Sequence, residues 1–464
     1  MAGIKIRLLL TVSFFLSIAN ANRTVFIDPN DAWQVIEGWG TSLCWWANVF
    51  GGFPDVRNQV ADLVFDLNKG LGLNIIRYNI GGGDNPSHHH MRIGADVPGF
   101  WPSIIIGPLM QIKNAAKERG ADIFEAFSNS PPYWMTNSGC SSGGQNFSDN
   151  LNFNYDDLHA DYLTEVVKWY KEQGLIFRTL DPVNEPTVRH WSDYGSQEGC
   201  SYSCDPLSNI IKKVAAYLDK KNLSENTTIS IADESTIDQE ISTIGCIGND
   251  PELHISQYNT HTYWGTQRTQ LYDISKQNGK RLWMSEVGFS SSKDMSSSLQ
   301  LSEEILNDMR NLKPVAWVYW QAIEHAPNGT YGNDYGLVGA DFSNSTTPLD
   351  IRLSFYGFAQ YTKFIRPGYQ IISSNDNDTL AAYDADNKTL VLVCTNNNNM
   401  SDIWNIDVFK FNISSFIAFR TSNNNETLTL LPNIWNITDG ILTYLCPAYS
   451  ITTWVFFYYS VDRL

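Results

Sequence analysis

Between Val35 and Arg366 the chain alternates short apolar runs with longer stretches of helical spacing. The short runs are VIEGWG (35–40), NIIRYNI (74–80), DIFEAFS (122–128), FRTLDPVN (177–184), TISIADE (228–234), HISQYNTHTY (254–263), RLWMSE (281–286) and VAWVYWQ (315–321). Each has strand length and β-type composition. Between them lie amphipathic stretches such as residues 157–174, where Leu158, Tyr162, Val166 and Tyr170 share one helical face and Gly174 closes the run. Similar patterns occupy 55–70, 104–120, 205–222, 269–279 and 301–312. Eight strands alternating with helices predict an α/β fold, a (β/α)8 TIM barrel over residues 35–366. A doubly wound open sheet is the rival architecture, but no Gly-x-Gly-x-x-Gly follows the first strand.

Beyond Pro367 the pattern changes to short β-type runs separated by Asn, Asp and Gly, which predicts a β-sandwich over 367–464. The early run TVFID, within residues 22–34, precedes the barrel's own first strand and is expected to join that sandwich. At the start, Lys5 and Arg7 lead an apolar run of about a dozen residues that ends in Ala19-Asn20-Ala21, the pattern of a secretory leader over residues 1–21. The run is shorter than the roughly 20 residues of a spanning helix, so no membrane span is expected. Asn-x-Ser/Thr sites, Asn222, Asn387 and Asn436 among them, fit an extracellular glycoprotein.

The formal charge of −17 disfavours nucleic acid as a partner. Seven cysteines cannot all pair within one chain, and Cys200 with Cys204 suggests a small disulfide-closed loop rather than half a zinc site. The run His88-His89-His90 has no Cys or carboxylate at zinc-ligand spacing and reads as a polar loop. Neither a metal nor a cofactor is expected, and the chain is expected to act as a monomer.

In such a barrel, chemistry gathers at the C-terminal ends of the strands. There the sequence puts Arg77, Trp134 just past the third strand, Asn184-Glu185, Asp233-Glu234, His261 with Tyr263, Glu286, and Trp317 with Trp320. Indole faces stack on sugar rings while carboxylates, amides and imidazoles bond hydroxyls. Glu185 and Glu286 form the candidate catalytic pair: one protonates a leaving oxygen and the other attacks or stabilises the anomeric carbon. Asn184, Arg77, Trp134, His261, Tyr263, Asp233 and Trp320 are the candidate substrate-binding residues. Trp317 and Trp320, three apart on a strand, face opposite sides, so at most one lines the site. His190 and Trp191 are candidates for the cleft wall, and of Asp233 and Glu234 one is expected to bind substrate and the other to cap the helix that follows at Ser235.

The segments IEGWGTSLCWWAN, IIRYNIGGG, SNSPPYWMT, LDPVNEPT and LWMSEVG resemble glycoside hydrolase family 30 of clan A, and GWGTSLCWWAN with RYNIGGG resembles its endo-β-1,6-galactanase branch. The resemblance implies a retaining enzyme with Glu185 as acid/base and Glu286 as nucleophile, acting on galactan side chains such as those of arabinogalactan proteins. Arg77 is then expected to keep Glu286 ionised. Other activities on this architecture, such as glucosylceramidase, β-1,6-glucanase or xylanase, and a carbohydrate-binding protein without catalysis, are the alternatives.

Overall fold

The computed structural model describes residues 22–97, 108–248, 250, 253–332, 334–344, 346 and 348–461. The expected leader, residues 1–21, lies outside them. After β1 (Asn22–Val35) come the strands of a closed parallel barrel. They are β2 (Gly38–Ser42), β3 (Ile75–Asn79), β4 (Ile123–Phe127), β5 (Thr179–Asp181), β6 (Thr228–Thr236), β7 (Ile255–Trp264), β8 (Arg281–Val287) and β9 (Ala316–Tyr319). Pairing of Gly38 with Ala316 and Trp39 with Trp317 closes the ring between β2 and β9. Helices α1 (Trp46–Phe50), α2 (Pro54–Phe65), α3 (Pro108–Lys117), α4 (Asp156–Glu172), α5 (Cys204–Lys220), α6 (Ile237–Ile247), α7 (Arg268–Gln277), α8 (Ser296–Asn307) and α9 (Leu353–Thr362) complete the α/β alternation.

Strand alternation sorts the side chains into two environments. On β3, Ile76 and Tyr78 pack into the large apolar cluster shared with the helices, while Arg77 between them turns into the barrel. The inward residues Glu125, Gln257, Asn259 and His261 are also polar and buried, so a hydrogen-bonded network fills much of the barrel beside a small apolar cluster of Ile75, Trp283, Ala316 and Val318. That network is the floor of the site described below.

Two helical details differ from the sequence reading. In α4 the buried stripe is His159, Leu163, Val166, Val167 and Tyr170, and Leu158 is exposed. His159 occupies the apolar face as a neutral ring, stacked near Tyr162, with burial pushing its pKa down to about 3. At the start of α6, Thr236 rather than Asp233 or Glu234 is the cap, its side chain accepting from the Gln239 amide. The cysteine expectation is also corrected. Cys204, the first residue of α5, bridges to Cys246 of α6 with Cα atoms 6.1 Å apart, whereas Cys200 turns into the apolar core as a free thiol.

A small sheet of β10 (Ile323–His325), β11 (Val338–Ala340) and β12 (Asp350–Ile351) lies between β9 and α9. The remaining strands are β13 (Gln370–Ser374), β14 (Thr379–Asp384), β15 (Thr389–Asn396), β16 (Asp402–Asp407), β17 (Phe411–Ser422), β18 (Glu426–Leu430), β19 (Ile437–Thr438), β20 (Ile441–Cys446) and β21 (Ser450–Val461). They form one continuous ten-stranded ribbon in which β1 is the joint. Its first half runs parallel to β16 and its second half antiparallel to β13. Val25, Ile27, Leu392, Trp404, Ile406, Tyr444, Trp454 and Phe456 share the core enclosed by this ribbon. Its other face packs on the barrel through α8 and α9, where Ser302 meets Thr395 at 2.5 Å and Gln360 donates to Thr421 at 2.9 Å.

Candidate active site

Glu185 follows β5 at the mouth of the barrel, between Asn184 and Pro186. Its backbone sits in the left-handed region at φ 49°, and Asp233 at the end of β6 does the same at φ 56°. A residue before proline is barred from ordinary helical geometry, and a left-handed non-glycine residue costs on the order of 1 kcal/mol or more. The Glu185 amide donates to the Asp233 carbonyl at 2.9 Å, which locks the two unusual conformations together. Glu286, near the end of β8, faces the same space. One carboxylate oxygen of each, together with a His261 nitrogen, lie within 4.8 Å of one another.

Beneath them lies the polar floor. Arg77 donates to Glu286 Oε2 at 3.0 Å and to Glu125 Oε1 at 3.3 Å, pairs also with Asp233, and lies 3.9 Å over the Phe127 ring. His261 Nδ1 bonds Glu185 Oε1 at 3.1 Å, and its Nε2 bonds Asp233 Oδ1 at 3.2 Å. Ser285 adds a 2.6 Å bond to the same Asp233 oxygen, and Tyr263 donates from its hydroxyl to Glu286 Oε1 at 3.2 Å.

Burial opposes charge on Asp233, but Arg77 and His261 beside it hold its carboxyl below the ordinary value. Burial likewise opposes a charged His261, yet Glu286 and Asp233 outweigh it and keep the imidazole well above its usual pKa. His261 is therefore an imidazolium donating from both nitrogens. For Glu286 burial is the largest influence and pushes it up to about 7, against the pull of His261 and Arg77. Arg77 stands beside Glu286 and pulls its carboxyl toward the ionised form, against the burial that raises it. Asp181, deeper in the barrel, is raised well above the carboxylate range by burial and by Asp233 and Glu125.

Above the floor opens a cavity of about 210 Å³ lined by Asn184, Glu185, Glu286 and an aromatic wall of Trp191, Tyr263, Trp264, Trp320 and Tyr335, with His190, Arg92, Asn129, Gln197 and Ser235 completing it. Asn184, Tyr263 and Trp320 thus reach the cavity; Trp317 is core, as alternation requires, bonding Asp308 at 2.9 Å. Arg77, Asp233 and His261 do not reach it. All three are fully buried and support the two carboxylates from below. Trp134 is also absent from the lining. It stands on a one-turn helix past β4, half-exposed and edge-on to Tyr155 at 5.8 Å. Among the described residues no group bonds Asn184 Oδ1, which is left as a buried acceptor beside the cavity.

Several lining residues escaped the sequence reading. Trp264 directly follows Tyr263 at the end of β7 and could have been found by the strand-end rule that found its neighbour. Arg92, Gln197 and Tyr335 come from long loops whose return to the mouth has no local signature. Arg92 pairs with Glu324 at 3.6 Å and lies 5.3 Å from the Trp45 ring, which itself packs edge-on to Trp320 at 5.6 Å.

A pair of carboxylates under an aromatic wall can cleave a glycosidic bond. Residues 108–245 match the family model O-Glycosyl hydrolase family 30. The chain is 34% identical to an endo-beta-1,6-galactanase of Hypocrea rufa over 421 residues, 83% of this chain and 84% of that protein. Its fold superposes on the catalytic domain of the GH30 xylanase C from Talaromyces cellulolyticus with a TM-score of 0.71 at 19% identity, covering 94% of this chain and all of that one. A conserved exported protein from Bacteroides fragilis gives 0.75 at 18% identity over 93% of this chain and all of its own. The chain belongs to glycoside hydrolase family 30 and is a glycoside hydrolase.

Proposed function

We propose that the protein is a secreted, retaining endo-glycosidase that hydrolyses β-1,6-galactan, with Glu286 as nucleophile and Glu185 as acid/base. The observation that carries the mechanism is the closeness of the two carboxylates, with oxygens within 4.8 Å. Retaining enzymes space their carboxyl groups by about 5–5.5 Å, whereas inverting ones need roughly 6.5–9.5 Å for a water. The bonding pattern supports the roles: Arg77 and Tyr263 both donate to Glu286, as a nucleophilic carboxylate requires, and Glu185 is assigned the proton transfer.

In the first step Glu286 attacks the anomeric carbon while Glu185 delivers its proton to the departing glycosidic oxygen. In the second, Glu185 takes a proton from water as the water displaces Glu286, and both groups return to their starting states. The free Asn184 Oδ1 accepts from a hydroxyl of the sugar at the cleavage point, and Trp320 and Trp264 offer stacking faces. The substrate class rests on the 34% identity to the galactanase. Secretion rests on the leader pattern and the glycosylation sites; among the described residues no helix is long and apolar enough to cross a membrane.

Product analysis on β-1,6-galactan, β-1,6-glucan, xylan and glucosylceramide tests the substrate. Galactose oligomers from the first alone are expected, and turnover confined to another substrate overturns the assignment. The mechanism is tested separately. Glu286→Ala should lose turnover, and azide should restore it with inverted stereochemistry; near-normal activity of this variant would remove Glu286 as nucleophile.

A further inference from the structure

We propose that His88, His90, Cys140 and Asp84 form a structural zinc site that fastens together the loops after β3 and β4, against the loop after β5. The run of three histidines has no metal-type spacing by itself, but folding brings Cys140 to it from 52 residues away, with Sγ 3.8 Å from His88 Nδ1. One donor atom from each of His88, His90 and Cys140 lies within 4.8 Å of the others. Asp84 adds oxygens 3.6 Å from His88 Nδ1 and 3.5 Å from His90 Nε2. Tetrahedral zinc, with bonds of about 2.0–2.1 Å to nitrogen and about 2.3 Å to sulfur, places its ligand atoms roughly 3.3–3.6 Å from each other. The nearest contacts lie within a few tenths of an ångström of that spacing, and the widest, at up to 4.8 Å, must close by about 1 Å.

A second observation points to a ligand. His90 Nδ1 bonds the Gly195 carbonyl at 2.6 Å, which requires a proton on that nitrogen and makes Nε2 the nitrogen that a neutral ring offers to a metal. That Nε2 is buried, faces the cluster, and has no hydrogen-bond partner among the described residues. A carbonyl that fixes the tautomer of an imidazole is the usual outer support of a metal ligand. The Tyr194 ring covers both imidazoles, with centroids 5.1 and 5.2 Å away, and walls off the cluster on that side. One thiolate, two imidazoles and a carboxylate select zinc over calcium or magnesium, and four protein ligands leave no open position for chemistry. The other grouping of this kind, Glu185 with His261 and Glu286, is unsuited because both His261 nitrogens already donate to carboxylates.

Arg92 is two residues beyond His90, its amide donates to the Ser196 carbonyl at 2.8 Å, and both Arg92 and Gln197 line the cavity. The metal would thus hold the cavity's outer polar rim in place without touching the substrate.

The test uses the full chain, freed of metal by chelator dialysis and titrated with Zn²⁺ and Co²⁺. One equivalent of each is expected to bind, Co²⁺ producing a thiolate charge-transfer band, and Zn²⁺ raising the thermal midpoint. Cys140→Ser and His90→Gln should each lose tight binding and the midpoint shift, and Cys140→Ser also the band, whereas Glu286→Gln should retain all three. The proposal is overturned if the wild-type chain binds no Zn²⁺ tighter than micromolar. It is equally overturned if Co²⁺ gives no thiolate band, if Cys140→Ser binds normally, or if Glu286→Gln abolishes binding. The wild-type titration decides the matter even where a variant does not fold.

Discussion

Replacing Tyr263 by Phe removes a single donor from Glu286 and little else. The hydroxyl bonds Glu286 Oε1 at 3.2 Å, while the ring packs against the apolar cluster that a phenylalanine would fill equally well. A hydrogen bond to a charged group contributes about 1.5–3 kcal/mol, and the 3.2 Å length places this one at the lower end. About 1.5 kcal/mol corresponds to roughly a tenfold change in an equilibrium constant, or about one pH unit in the ionisation of Glu286. Burial already lifts that carboxyl, so losing a donor lifts it further. The acid limb of kcat/KM in Tyr263→Phe should therefore move upward by about one pH unit, with about a tenfold loss of kcat/KM below the limb. The assay is initial rates on β-1,6-galactan across pH, with thermal unfolding alongside to establish that the fold is intact. An unmoved acid limb in a normally folded variant would refute the idea that this hydroxyl stabilises an ionised Glu286.

The other predictions concern the pH response of the fold, its disulfide and the aromatic wall. Burial pushes Glu198, Glu234 and Glu324 up to about 7 from an ordinary 4.5, so the folded chain binds more protons than the unfolded one across that window. Stability should fall as pH rises from about 5 to 7, by at most about 3 kcal/mol for each group. Urea midpoints at the two ends check the sign, and Glu234→Gln should flatten the slope. Cys246→Ser opens a bridge between residues 42 apart in sequence and should cost about 2–4 kcal/mol, read as a lower urea midpoint than the oxidised parent. Trp264 is 70% exposed at the cavity edge, so Trp264→Ala should leave the thermal midpoint within a few degrees while raising KM.

The parts of this molecule that were legible from sequence are those with a local physical signature. Eight β-type runs alternating with amphipathic stretches carry the barrel, and strand ends carry Glu185 and Glu286, because a parallel barrel sends every strand's last residue to one rim. Depth was not legible. Arg77, Asp233 and His261 also stand near strand ends, yet lie one layer below the cavity, and only the inward turn of each strand tells lining from support. Loop returns were equally hidden. Arg92, Gln197 and Tyr335 reach the mouth through long segments, and Cys140 meets His88 across 52 residues. The pairing of Cys204 with Cys246 in place of nearby Cys200 depends on which way α5 and α6 face, something spacing along the chain does not encode.

The two-sided pairing of β1 sets an order of assembly. Its partners β13 and β16 begin at Gln370 and Asp402, so a ribosome must emit the whole barrel before the first strand finds either neighbour. Until then Val25 and Ile27 lack the core they later enter, and β1 has two unsatisfied edges. The nascent chain thus carries an unpaired strand through most of its synthesis, and its last hundred residues close a clasp around β1.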